Sequence, residues 1–212
     1  LPFTYGLALA SAVIAIPVGL AAGIVAATRR GTLMDLLVSG AAIFGLSMPV
    51  YWLGLMLIVL FSIQLRILPA AGAGEPLGFV LPAVTLSLGL IAVTSRQSRS
   101  AMLEVLGQEY VRTARSKGLS RSAVIVRHAL RNALLPVVTA VGLHFGHLLG
   151  GAVIVEYVFS WPGIGRFLIE SIFARDYPAV QGVVLLLSMS FIAVNLLVDL
   201  LYAFIDPRIR YT

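Results

Sequence analysis

The stretch EYVRTARSKGLSRSAVIVRHALRNALLP, Glu109–Pro136, holds six of the fifteen basic residues of a 212-residue chain. Only 11% of that chain is charged and 59% is apolar, giving a mean hydropathy of +1.00. A soluble domain has about a quarter of its residues charged, so this is the composition of an integral membrane protein. Outward from the basic stretch lie apolar runs of the length that crosses a bilayer core, about 20 residues. Leu77–Thr94 precedes it and Leu134–Val155 follows, with Phe3–Ala27 and Leu36–Ile63 further upstream and Val180–Ile205 downstream. The pattern predicts an all-α polytopic membrane protein with five transmembrane helices and one transmembrane domain over residues 1–212. A long loop falls at about 96–133 and a shorter one at about 156–179 on the opposite side.

Alternation across five spans places Arg29, Arg30, the run from Arg96 to Arg131, Arg208 and Arg210 on one side. Arg66, Arg166 and Arg175 fall on the other. Lys and Arg favour the cytoplasmic side, so the 96–133 loop and the C-terminus are predicted inside and the N-terminus outside. The first span has no basic flank before it and is too long for a secretory signal, and a sixth, N-terminal helix is expected before Leu1. Pro17, Pro49, Pro82 and Pro136 each fall in or at the start of one of the first four spans. They are read as kinks, or as kinks whose freed carbonyls line a pathway.

Several chemistries are excluded. The absence of cysteine removes disulfides, thiolate metal sites and a cysteine nucleophile. The single lysine, Lys117, is followed by Gly118, so there is no phosphate-binding P-loop. An intramembrane hydrolase would need a motif around Ser47 or Ser188, and neither GxSxG nor HExxH occurs. The net charge of +6 is explained by sidedness in a membrane and implies no nucleic acid. A self-sufficient ion- or proton-coupled transporter remains an alternative, but it calls for acids in mid-span, whereas Glu156 and Asp199 lie toward span ends.

Within the basic loop, Met102, Leu103, Leu106, Tyr110, Val111 and Ala114 recur at helical spacing and predict an amphipathic helix over 100–117. Gly118 stops it, and a second helix starts after Ser120 and carries His128 and Arg131 into the fourth span. So ordered a loop is read as a docking surface. Leu106, Tyr110 and Ala114 belong to its apolar set, and Glu109, Arg112, Arg115 and Lys117 carry its charge. The competing reading is a basic helix lying on anionic lipid.

In the fourth span, Gly142, Gly146 and Gly150 form overlapping GxxxG patterns that predict close helix packing. His144 and His147 face elsewhere and either line a pathway or bond a neighbouring helix; as metal ligands they lack a third partner. Asn195 and Asp199, one turn apart, are read as structural. On the outer side, a short helix after Pro162 carries Ile164, Phe167, Leu168 and Ile172 on an apolar face, with Trp161 as interfacial anchor. That segment is either a re-entrant or surface helix that meets a partner or a simple loop resting on the bilayer.

Taken together, the motifs resemble one family: the transmembrane permease subunits of ABC importers, in the branch for dipeptides, oligopeptides and nickel. The resemblance rests on EYVRTARSKGLS with RHALRNALLP, on LPA at Leu68–Ala70, FSWPGIGR at Phe159–Arg166, RDYP at Arg175–Pro178, and NLLVDLLYAFIDPRIR at Asn195–Arg210. In that family a loop with EAA, three residues and Gly forms a coupling helix seated on the ATPase. Arg112, Thr113 and Ala114 occupy the EAA positions, where only Ala114 agrees, and Gly118 matches. His128 and Arg131 replace the Ile and Pro of the general pattern and Leu130 fits, as is typical of the peptide branch. By this resemblance Leu106, Tyr110 and Ala114 supply the apolar seat of the coupling helix and Glu109, Arg112, Arg115 and Lys117 its charged rim. Thr113 and Leu119 join the coupling residues, and the chain is by the same resemblance a permease for peptides or a related small solute. It binds no cofactor itself, ATP and Mg being used by partner subunits. The implied partners are two ATPase subunits, a second homologous permease and an external, periplasmic solute-binding protein, which largely sets the substrate. The implied location is a bacterial or archaeal inner membrane.

Overall fold

The computed structural model describes residues 1–74 and 77–205. These residues form helices and connections without a strand: α1 (Pro2–Thr28), α2 (Leu33–Ser47), α3 (Val50–Leu57), α4 (Val80–Leu106), α5 (Glu109–Ser116), α6 (Arg121–Ala123), α7 (Arg131–Val158), α8 (Ile164–Phe173) and α9 (Tyr177–Ile205). Wider, π-helical turns at Ile58–Gln64 and Val124–Leu130 extend α3 and join α6 to α7. The latter makes Arg121–Val158 one helix of 38 residues. Four helices are long and apolar enough to span a bilayer, and a fifth span is counted if α2 and α3 are taken together.

Two of the expected spans need correction. The run Leu36–Ile63 is not one helix: α2 and the helix from Val50 to Gln64 are bent by 106°. Steric conflict with a proline ring drives the preceding residue out of the helical region, and Met48, before Pro49, has ψ 130°. Pro49 therefore marks a break. Pro82 makes no kink either, because it lies in the first turn of α4, where no intrahelical N–H bond is lost. Pro17 and Pro136 lie inside helices. The third span also continues through Leu106, so residues 100–106 are the tail of a membrane helix and the loop helix is confined to Glu109–Ser116.

Helices α1 and α4 run parallel, with Ser11 beside Ala83 and Gly23 beside Ser98. Apolar burial does not favour helix association in lipid, so small side chains and close backbones must supply it through packing. Ala8, Ala12, Ala15, Gly19 and Gly23 make that stripe on α1. A methyl on Gly19 would lie 2.6 Å from Thr94 Cβ, and one on Gly23 would lie 2.5 Å from the Ser95 carbonyl oxygen. Ser11 Oγ donates to Leu7 O at 2.8 Å and lies 3.1 Å from Ala83 O, tying the two helices. Helix α7 packs against the pair: one cluster joins Leu81, Leu86 and Leu90 to Leu148, Ala152 and Val155, and another joins Met102 to Ala129, Ala133 and Val137. Asp35 on α2 receives Arg99 on α4 in a two-pronged pair, Nε–Oδ1 2.6 Å and Nη2–Oδ2 2.9 Å. Large apolar side chains on α9, among them Leu185, Met189 and Ile192, are exposed and suit a lipid environment.

Candidate docking surface and cavity

Helix α5 rests on the rest of the chain through Val111 and Ala114, which are 0% and 6% exposed and pack with Val124, Val105 and Leu106. This places two predicted seat residues, Leu106 and Ala114, on the inner side of the loop, where they hold α5 instead of being offered outward. On one flank Tyr110 is 41% exposed, and its hydroxyl accepts from Asn132 Nδ2 at 2.7 Å. On the other flank Arg115 lines a cleft. The remaining face, at about 100° per residue, carries Glu109, Arg112, Thr113 and Ser116, all exposed. Ser116 was missed because the apolar spacing was read across residues 100–117 as one helix; the register of 109–116 alone places it outward. Lys117 follows at the C-cap, and Gly118 takes φ +78°, a conformation that favours glycine. Its N–H bonds to Arg115 O at 3.0 Å. Leu119 is exposed, and Ser120 caps the next helix by accepting from Ala123 N at 3.3 Å.

The α2–α3 break opens on a cavity of ≈ 240 Å³ between α4 and α7. Met48, Val50, Thr85, Gly89, His144 and His147 are among its lining residues. The two imidazoles lie 5.7 Å apart. A carbonyl only accepts, so His144 Nδ1 donates to Ala140 O at 3.0 Å and His147 Nδ1 to Leu143 O at 3.3 Å. With Nδ1 bonded to the backbone, Nε2 of each ring remains for another partner. Among the described residues no group of three or more His, Cys, Asp or Glu is arranged to hold a metal ion.

The glycine stripe divides. A methyl on Gly146 would lie 2.6 Å from the Phe191 ring and one on Gly142 would meet Val198, whereas nothing lies within 4 Å at Gly150. Gly142 and Gly146 thus contact α9, whereas Gly150 is separated from it by a cavity lined on the far side by Leu187, Ser188 and Phe191. Asn195 Oδ1 lies 3.0 Å from the same Gly146 position, and the Asp199 side chain lies outside the described residues, as do Arg208 and Arg210.

On the opposite end, Glu156 is wholly buried, and its Oε2 accepts from Gly165 N at 2.7 Å and Arg166 N at 3.2 Å. A carboxylate there satisfies free N–H groups at the start of α8. The sequence signal was an acid ahead of Gly-x-Gly, because the carboxylate occupies the space a side chain would need at Gly163. Trp161 Nε1 donates to Phe3 O at 3.4 Å, and its ring meets Phe3 edge-on, so the expected interfacial anchor also fixes the loop to α1. Phe167, Ile172 and Phe173 on α8 remain exposed.

Comparison with known proteins gives a consistent result. Residues 19–211 match the family described as binding-protein-dependent transport system inner membrane component. The glutathione transport system permease protein GsiC of Escherichia coli strain K12 is 48% identical over 208 residues, covering 98% of this chain and 68% of that protein. The protein of the same name from Pectobacterium atrosepticum gives the same identity and coverage. Among solved structures, an amino acid ABC transporter with histidines superposes with TM-score 0.75 at 18% identity, covering 95% of this chain and 90% of that one. The MetNI methionine ABC transporter in an inward-facing conformation gives TM-score 0.73 at 19% identity, covering 96% and 91%; at these identities the likeness is one of fold. With most of its length matched, the chain belongs to the binding-protein-dependent transport system inner membrane components and is a membrane-spanning permease subunit of an ABC importer, a transport component and not an enzyme.

Proposed function

We propose that this permease forms half of the path for peptide-like solutes of the size of glutathione. Its complex contains a second homologous permease, two ATPase subunits that use ATP and Mg, and an external solute-binding protein, with the α5 end and the C-terminus in the cytoplasm. Identity of 48% to the glutathione permeases supports the substrate class. The observation that supports the coupling role is the mounting of α5. Its underside is buried at Val111 and Ala114, one flank is tied by Tyr110 to Asn132, and Gly118 ends it sharply. A short element fixed in this way moves with the helices it stands on, which energy transfer from an ATPase to a membrane path requires. Glu109, Arg112, Thr113 and Ser116 present the contact surface, while the His144–His147 cavity lies in the path.

These 212 residues hold no cysteine, so an introduced one is the single thiol among them. Thr113→Cys and Ser116→Cys in the assembled importer are expected to cross-link to the ATPase, and Phe173→Cys on α8 is not. Absence of any ATPase cross-link from the two α5 positions in an intact complex would overturn the coupling assignment. ATP-driven uptake of glutathione into proteoliposomes tests the substrate class separately.

A further inference from the structure

A concavity with a charged lining lies on the Arg115 flank of α5. It is a cleft of ≈ 590 Å³ where the ends of α1 and α4 meet the start of the second loop helix. Arg30, Arg115 and Arg121 stand around it, and no acidic residue is among its lining. Its floor is apolar, with Ala27, Leu103 and Leu106 among the residues there. Arg121 is held by one bond, Nη2 donating to Thr28 O at 2.6 Å, and neither Arg30 nor Arg115 has a carboxylate within 4.0 Å among the described residues.

Part of this charge has a local explanation. The last carbonyls of α1 and α4 converge here, and cations are favoured near helix C-termini. A helix end carries about half a unit of negative charge, so two of them balance about one of the three arginines. The surplus surrounds an apolar floor at the level where two parallel membrane helices stop. That is the polarity profile of one membrane component, a phosphate-bearing head above a hydrocarbon chain. A guanidinium offers a planar fork of donors that fits two phosphate oxygens, and basic pockets between helices on the cytoplasmic side suit anionic headgroups.

We infer that this cleft is a binding site for the headgroup of an anionic phospholipid of the inner leaflet, with Arg30 and Arg121 on the phosphate and the Leu103–Leu106 floor against the upper acyl chain. The inference goes beyond the coupling role and needs only the α5 end to lie at the cytoplasmic membrane surface. A lipid in this position would be wedged between α1 and the base of the coupling loop, so that the charge of the leaflet bears on the element that couples to the ATPase.

The test uses the full-length protein in its importer complex, reconstituted into phosphatidylcholine vesicles with and without phosphatidylglycerol, then re-extracted in mild detergent and weighed intact by native mass spectrometry. Retained phosphatidylglycerol is expected on the wild type and on a control lacking arginines of the opposite face, Arg66→Gln with Arg175→Gln. Arg30→Gln and Arg121→Gln should each weaken retention about fivefold and together about twenty-five-fold, and Arg30→Lys, which keeps the charge, should restore most of it. Arg30→Gln removes no side-chain hydrogen bond among the described residues, so its result stands even if the Arg121 variant fails to assemble. Equal retention in all variants, or retained lipid that inorganic phosphate displaces as readily as phosphatidylglycerol does, overturns the proposal. Because assembly with the ATPase is read in the same spectra, failure of the lipid site and failure of the coupling assignment are told apart.

Discussion

A single methyl group distinguishes the glycines of α7. At Gly146 it would press on the Phe191 ring at 2.6 Å, and either that ring or α9 must give way; at Gly150 it would enter open space. Forcing a group into packed helices costs about 1–3 kcal/mol, while exchanging an exposed helical glycine for alanine gains up to about 1 kcal/mol. Gly146→Ala is therefore expected to lower the thermal midpoint of the detergent-solubilised chain, and Gly150→Ala to leave it unchanged or raised. Equal shifts would show that α9 does not cross α7 where the structure places it. The four-residue spacing revealed the stripe, but the crossing point of another helix decides which glycines bear contact. The stripe on α1 carried the same signal, Ala15, Gly19, Gly23 and Ala27 at intervals of four, and it makes the closer interface. Gly118 was legible without tertiary information because a glycine ending a basic helix reports a local backbone need, met here at φ +78°.

At the scale of elements, α5 is too short to persist alone, since isolated helices below about 12 residues are marginal. Its order comes from Val111 and Ala114 below and from the Tyr110–Asn132 bond at its side. Tyr110→Phe removes that bond at a cost of about 1 kcal/mol. Hydrogen exchange over 109–116 should accelerate about fivefold while the membrane helices keep their protection, and unchanged exchange would mean that the bond does not hold the element. The sequence placed the stop at Gly118 and the restart after Ser120, where the structure has them, but drew α5 too long. Periodicity runs through Leu106 without interruption, and the break at Gly107 and Gln108 is set by the fold-back of α5 onto Val105, Leu106 and Val124. The Asp35–Arg99 pair was invisible for a related reason: its partners are 64 residues apart and meet only once α2 lies on α4.

For the whole molecule, the cavity at the α2–α3 break joins three membrane segments into one site. If His144 and His147 receive solute there, replacing both with alanine removes two hydrogen bonds of about 1 kcal/mol each, and uptake at low solute should fall about thirtyfold. Val138→Ala, on the side of the same helix opposite His147 at about 100° per residue, should leave uptake unchanged. A loss shared by both variants, or a fall in thermal midpoint that accounts for it, would remove the histidines from the path. Composition and apolar run length determined that the chain lives in a membrane, because the energy of hydrocarbon contact depends on each segment alone. The motifs of the loop and of the outer segment pointed to an importer permease, because docking and turn chemistry are written in short local patterns. Only the tertiary structure decided that Pro49 breaks a span, that Ala114 faces inward, that Gly150 is free and that Glu156 anchors α8. Each of these depends on which surface a side chain meets, and that is set by the crossing of helices distant in sequence.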